Sequence, residues 1–91
     1  MTALHLAAQE RAAEAAALLL DAGAVVDPTD LYGNTPLWTA IFNSRGEGRI
    51  IGLLRRYGAD CGHVNAAGQT PTDLARSIAN YPIAQSFADL P

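Results

Sequence analysis

The chain lacks the sequence features that disulfide-bonded, membrane-spanning and secreted proteins require. It holds a single cysteine, Cys61, so no disulfide can form within the chain. No apolar run approaches the roughly 20 residues of a membrane-spanning helix. The opening residues, MTAL, include no basic segment of the kind that begins a secretory signal. We therefore expect a cytoplasmic protein.

Charge is also sparse. Six Lys and Arg residues against nine Asp and Glu residues give a net charge of −3, without the basic face that nucleic acid would attract. Charged residues make up 16% of the chain and hydrophobic residues 49%, which favours a folded chain over a disordered one. At 91 residues the chain forms one domain at most.

The sequence repeats itself at a step of 33 to 35 residues. Residues 2–8 read TALHLAA, residues 35–41 read TPLWTAI, and residues 70–75 read TPTDLA. A Gly-Ala pair also recurs 35 residues apart, beginning at Gly23 and at Gly58. Repetition at this period indicates a solenoid, in which small units stack and bury the apolar faces that a single unit leaves open.

These segments resemble the ankyrin repeat, and the resemblance covers nearly the whole chain. The turn half of the family pattern is present as GNTPL at 33–37 and GQTP at 68–71. The second half is present as LLLDAGA at 18–24 and LLRRYGAD at 53–60. The resemblance implies an all-α solenoid of stacked antiparallel helix pairs joined by β-turn loops. The Ala- and Arg-rich composition favours a bacterial over an animal member.

We predict a single ankyrin-repeat domain over residues 1–91, with repeats at 1–29, 30–64 and 65–91. The β-turn loops between repeats, called fingers here, are expected to turn at 30–33 and 65–68. The predicted helices of the first repeat begin after a capping Thr2 and end before Gly23. The full set of predicted helices is 3–8, 10–22, one opening at Pro36, 49–57 after a lengthened loop at 44–48, one opening at Pro71, and 83–89.

The first repeat lacks the finger that would precede it. We therefore expect Leu4 and Leu6 to lack a preceding repeat to lie against and to be left uncovered. Three explanations stay open: the chain is a piece of a longer protein, this end is exposed, or another copy covers it. The last would make the protein a homo-oligomer through its uncapped N-terminal repeat.

The resemblance also implies where a partner protein binds, because finger tips and first helices line a concave groove in this family. The predicted partner-binding residues are Thr29, Leu31, Tyr32, Asn34, Trp38, Phe42, Asn43 and Gln69. Leu31, Tyr32 and Phe42 are large apolar residues at positions expected to face solvent, as partner anchors do. The alternatives are that Leu31 folds back onto the stack, that Phe42 packs under the long loop, and that Trp38 fills the core.

No arrangement of residues predicts catalysis, a metal or a cofactor. His5 occupies the family's motif histidine position, where the resemblance implies a hydrogen bond across the loops. Cys61 and His63 could begin a metal site, but structural zinc takes four ligands and His5 lies a repeat away. The segment 46–48, GEG, follows a helix and lacks the Lys-Ser/Thr of a phosphate loop.

The sequence thus predicts a non-catalytic module that binds a protein partner of unknown identity, with no nucleic acid and no membrane. Two alternatives remain: a self-associating structural unit, and a small inhibitor or immunity-type protein. A cofactor-binding or enzymatic domain is less favoured, because neither histidine has a nucleophile and a carboxylate arranged around it.

Overall fold

The structure is a computed structural model that describes residues 1–45 and 48–78. Within these residues it has five α-helices and no β-strand, which confirms the all-α prediction. None of the described helices is long and apolar enough to cross a membrane. The helix expected at 83–89 and the centre of the loop at 44–48 lie outside the described residues. The helices are α1 (Ala3–Gln9), α2 (Ala13–Asp21), α3 (Pro36–Phe42), α4 (Arg49–Arg56) and α5 (Pro71–Ser77).

The first helix of each repeat begins at a capping threonine. The hydroxyl groups of Thr2, Thr35 and Thr70 each accept a hydrogen bond from the backbone N–H three residues further on. Each bond satisfies one of the N–H groups that a helix start leaves without a partner. Pro36 and Pro71 occupy the first helical position, where their missing N–H costs nothing.

The second helix of the first repeat begins later than the sequence predicts. α2 begins at Ala13 and not at Glu10, because the chain reverses direction between α1 and α2. Arg11 makes this reversal in a left-handed conformation, with φ of 55°, which interrupts any helix through it. No side chain caps α2 at Ala12, so its start lacks the signal that a capped helix carries in its sequence.

The helices lie in two rows. α1 packs on α3 and α3 on α5, while α2 packs on α4; within the repeats α1 packs on α2 and α3 on α4. Equivalent helices of successive repeats are therefore neighbours, as stacked helix pairs require. The largest fully buried apolar side chains come from both rows, and each stabilises the fold by about 1.5–3 kcal/mol through burial. They are Leu4, Leu37, Ile41, Ile51 and Leu54.

The burial of Leu4 contradicts the expectation that both leucines of α1 are left uncovered. It is 2% exposed and belongs to the main core, whereas Leu6 is 51% exposed. Two residues span about 200° of rotation on an α-helix, so the orientation that buries one of them turns the other outward. α1 packs on both α2 and α3, and these helices cover Leu4 without a preceding repeat.

Both fingers fold as the same hydrogen-bonded turn. In the first finger, the Asp30 carboxylate accepts through Oδ1 from the N–H groups of Tyr32 (2.9 Å) and Asn34 (3.0 Å). In the second finger, Asn65 Oδ1 accepts from the N–H groups two and four residues on, at 2.9 and 3.0 Å. The Ala66 N–H donates to the Tyr32 carbonyl at 3.0 Å and joins the two fingers.

The two histidines hold the first finger from opposite sides. His5 is fully buried, and its Nδ1 accepts from the Thr2 backbone N–H at 3.2 Å. Because that N–H can only donate, Nε2 carries the ring proton and donates it to the Asn34 carbonyl at 2.8 Å. His63, from the second finger, lies with Nε2 3.1 Å from the Gly33 carbonyl. The expectation that His5 bonds across the loops is therefore met.

Replacing Gly33 by alanine should destabilise the protein more than the same change at Gly68. Both glycines have left-handed φ, of +73° and +77°, so both substitutions strain the backbone. Only at position 33 would the new Cβ also meet backbone, 3.0 Å from the Ala66 nitrogen. We expect Gly33→Ala to cost about 1–3 kcal/mol more than Gly68→Ala in urea unfolding. Equal losses would show that the fingers are not closely apposed.

His5→Ala should destabilise the protein more than His63→Ala, although both rings contact the same finger. Removing His5 takes one of two donors from the Asn34 carbonyl, leaves the Thr2 N–H without its ring acceptor and empties a core site, at a cost of about 2–4 kcal/mol. His63 is half-buried and makes one such bond, worth about 1 kcal/mol. Urea unfolding of both variants measures the difference, and a larger loss for His63→Ala would contradict the assignment.

Candidate partner-binding surface

The predicted partner-binding residues divide into exposed and internally bonded ones. Leu31 is 96% exposed, Tyr32 71% and Phe42 69%. Thr29 and Gln69 are also exposed. These five residues, from the two fingers and the end of α3, are called the finger surface below. Leu31 does not fold back onto the stack and Phe42 does not pack under the loop, so both alternatives to exposure are wrong.

Hydrogen bonds fix the backbone at Leu31 and Tyr32, although the side chains of both residues are exposed and do not pack in the core. The Tyr32 N–H donates to Asp30, and the Tyr32 carbonyl accepts from Ala66. Two residues further on, the Asn34 carbonyl accepts from the buried His5 ring. The arrangement fixes where two large apolar side chains point into solvent, which is what a preformed contact surface needs.

Asn34 and Asn43 make hydrogen bonds within the chain. Asn34 Oδ1 accepts from Asn65 Nδ2 at 2.8 Å and so links the two fingers through their side chains. Asn43 ends α3, and its Nδ2 donates to the Thr39 carbonyl at 2.9 Å. Their contact with a partner stays a prediction, and both side chains have a structural role without one.

Trp38 is half-buried, so part of its indole remains accessible at the position that His5 occupies in the first repeat. The Trp38 side chain is therefore neither fully buried in the core nor as exposed as Leu31 and Tyr32.

Asn65 opens the second finger, at the turn predicted for 65–68. It is 9% exposed and bonds to the Ala67 and Gln69 N–H groups as well as to Asn34. Sequence reasoning missed only the bond to Asn34, which joins the two fingers. The repeat step was the available signal, because Asn65 lies 35 residues after Asp30 and makes the same turn.

The other candidate residues do not come together as a chemical site. Within residues 1–45 and 48–78, no three His, Cys, Asp or Glu residues are grouped so that they could hold a metal ion. His63 faces the Gly33 carbonyl, and Cys61 is half-buried with its own carbonyl accepting from the Thr72 hydroxyl at 2.9 Å. The segment 46–48 is largely outside the described residues.

A tyrosine–carboxylate pair joins the row formed by α2 and α4. The Tyr57 hydroxyl donates to the Asp21 carboxylate. This hydrogen bond, followed by partial desolvation and the charge of Asp21, raises the pKa of the Tyr57 phenol above its usual value. The pair ties the ends of two stacked helices.

Comparison with known proteins agrees with this architecture. The family model of ankyrin repeats (3 copies) matches residues 1–65. A relative, serine/threonine-protein kinase 12 of Arabidopsis thaliana, is 39% identical over 88 residues. The match covers 97% of this chain and 18% of that protein, so the chain spans about a fifth of the relative's length. The chain belongs to the ankyrin repeat family.

Proposed function

We propose that this chain is a non-catalytic, cytoplasmic module that binds a partner protein through its finger surface. Ankyrin repeats are in general protein-interaction modules. The observation that carries the proposal is the 96% exposure of Leu31 beside an exposed Tyr32, on a loop whose backbone is fixed by hydrogen bonds. Exposed apolar side chains that lie next to one another and are rimmed by polar residues mark protein–protein contact sites.

Preorganisation of the first finger lowers the entropy cost of binding a partner. A flexible loop loses conformational entropy when a partner orders it, at about 1–2 kcal/mol for each residue fixed. The first finger is already held by bonds from His5, Ala66 and Asn65, so a partner finds Leu31 and Tyr32 in place. Aromatic and large aliphatic side chains presented in this way are the usual anchors of protein interfaces.

The activity named by the kinase relative is not part of this proposal. The chain spans 18% of that protein. We propose instead that a segment of this kind supplies binding, with no cofactor, to a partner of unknown identity.

The double variant Leu31→Ala/Tyr32→Ala should lose partner binding and keep its fold. Both side chains are exposed, so truncating them removes little core packing, whereas loss of two interface anchors typically weakens binding by tenfold or more, about 1.4 kcal/mol. Affinity capture from an extract of the source organism, compared between wild type and variant by quantitative mass spectrometry, measures the effect. Circular dichroism checks the fold.

Leu18→Ala is the matched control. Leu18 is 70% exposed, as Tyr32 is at 71%, but it lies on α2 and not on a finger. We expect it to capture the same proteins as wild type. Equal recovery by wild type and by the finger variant would show that the finger surface is not the contact.

A second candidate function is self-association through the N-terminal face. An apolar groove there is lined by α1 and α2 and holds both exposed leucines of the first repeat, Leu6 and Leu18. In the second repeat the positions equivalent to Leu6 and to Ala15 are Thr39 and Ile50, and the first repeat buries both. If this face binds a second copy, Leu18→Ala lowers the sedimentation coefficient, whereas Leu31→Ala/Tyr32→Ala leaves it unchanged.

A further inference from the structure

Charges are distributed unevenly between the fingers and the helices. Residues 24–34 and 59–69, which form the two finger segments, contain Asp27, Asp30 and Asp60 and no lysine or arginine. α4 shows the reverse, with three arginines and no acidic residue in eight positions. The finger segments therefore carry a net negative charge beside the exposed apolar side chains.

The acids of the paired helices α2 and α4 have different surroundings. Glu14 of α2 lines a groove with Arg49 and Arg56 of α4. Asp21 accepts a hydrogen bond from the Tyr57 hydroxyl. The charge of Glu14 therefore lies beside arginine charges of the same chain.

The finger carboxylates instead bond to neutral backbone groups. Asp30 Oδ1 accepts from two N–H groups of its own turn, and Asp60 Oδ1 accepts from the Gly62 N–H at 2.9 Å. Such bonds shape the turns and leave the carboxylate charges in place. Arg11 lies at the Phe42 end of the finger surface, where its guanidinium donates to the Asn43 carbonyl, whereas Asp30 lies in the turn that carries Leu31 and Tyr32.

We infer that the finger surface takes a partner segment whose apolar anchor is flanked by lysine or arginine. The inference rests on the proposed function and adds the charge of the partner to it. Leu31 and Tyr32 supply the apolar contact, Asp30 supplies opposite charge in the same turn, and Asp60 adds a second carboxylate in the other finger segment. Complementary charges around an apolar centre favour encounter and select among partners.

The negative charge of Asp30 can be removed without disrupting the turn of the first finger. Asn65 makes in the second finger the same two hydrogen bonds that Asp30 makes in the first, through the same Oδ1 atom. Asp30→Asn therefore keeps a turn that the molecule already builds with asparagine. Asp60→Asn likewise keeps an Oδ1 acceptor for the Gly62 N–H. Glu14→Gln, which removes one acid from the helical side, is the matched control.

The experiment selects binders from a displayed random-peptide library against the wild-type chain. Peptides enriched on wild type should combine large apolar residues with more Lys and Arg than Asp and Glu. The affinity of a selected peptide should fall about four- to twenty-fivefold in Asp30→Asn/Asp60→Asn, because each exposed ion pair changes an affinity by about two- to fivefold. It should stay unchanged in Glu14→Gln. Raising the salt from about 50 mM to about 500 mM should erase that difference.

The outcomes separate this inference from the proposed function. Peptides that need Leu31 and Tyr32 but show no basic excess, or bind the asparagine variant as tightly as wild type, overturn the inference and leave the proposed function standing. Peptides that bind Leu31→Ala/Tyr32→Ala as well as wild type overturn the proposed function. A library that enriches no peptide, or only acidic ones, contradicts the inference.

Discussion

The shape of the first finger depends on hydrogen bonds that reach its backbone carbonyls from two flanking repeats. His5 donates to the Asn34 carbonyl from the helix before it, and Ala66 donates to the Tyr32 carbonyl from the finger after it. Within the turn itself the Asp30 N–H also donates to the Asn34 carbonyl at 3.0 Å, so the turn closes locally. The donors from His5 and Ala66 add to that local bond and hold the turn against the neighbouring repeats, and stacking of the helix pairs is what places these two donors.

This constraint connects the core to the surface. Leu4, Leu37 and Ile41 bury the contact between α1 and α3, which sets the distance between the His5 ring and the finger. The finger then holds Leu31 and Tyr32 in solvent without any contribution from those side chains to the core. In the function proposed above, stability and binding thus use different residues of one repeat, and a change in either exposed side chain is expected to leave the stack intact.

Much of this fold could be predicted from the sequence, because the repeat step places helix starts, turns and capping residues at fixed offsets. Thr2, Thr35 and Thr70 begin helices as expected, and the turns at Asp30 and Asn65 fall where the pattern puts them. These features follow from local chemistry, which a sequence carries in full.

The predictions that were wrong or incomplete depend on three-dimensional geometry that the repeat pattern does not specify. The late start of α2 follows from a left-handed Arg11, a conformation with no signal in its residue type. Leu4 is buried because two neighbouring helices are enough to cover it, and Asn34 is engaged because Asn65 lies opposite. The exposure of Leu31 was left open by the sequence, since an apolar residue in a loop packs inward as readily as it points out.

Amide hydrogen exchange measured by NMR tests the central claim most directly. The N–H groups of Tyr32, Asn34 and Ala66 lie in surface loops but donate to internal acceptors at 2.9–3.0 Å. If the fingers are held by the stack, these three amides exchange together and as slowly as those of α1 and α3. Exchange at the rate of an open loop, while the helices stay protected, would show that the fingers are not preformed.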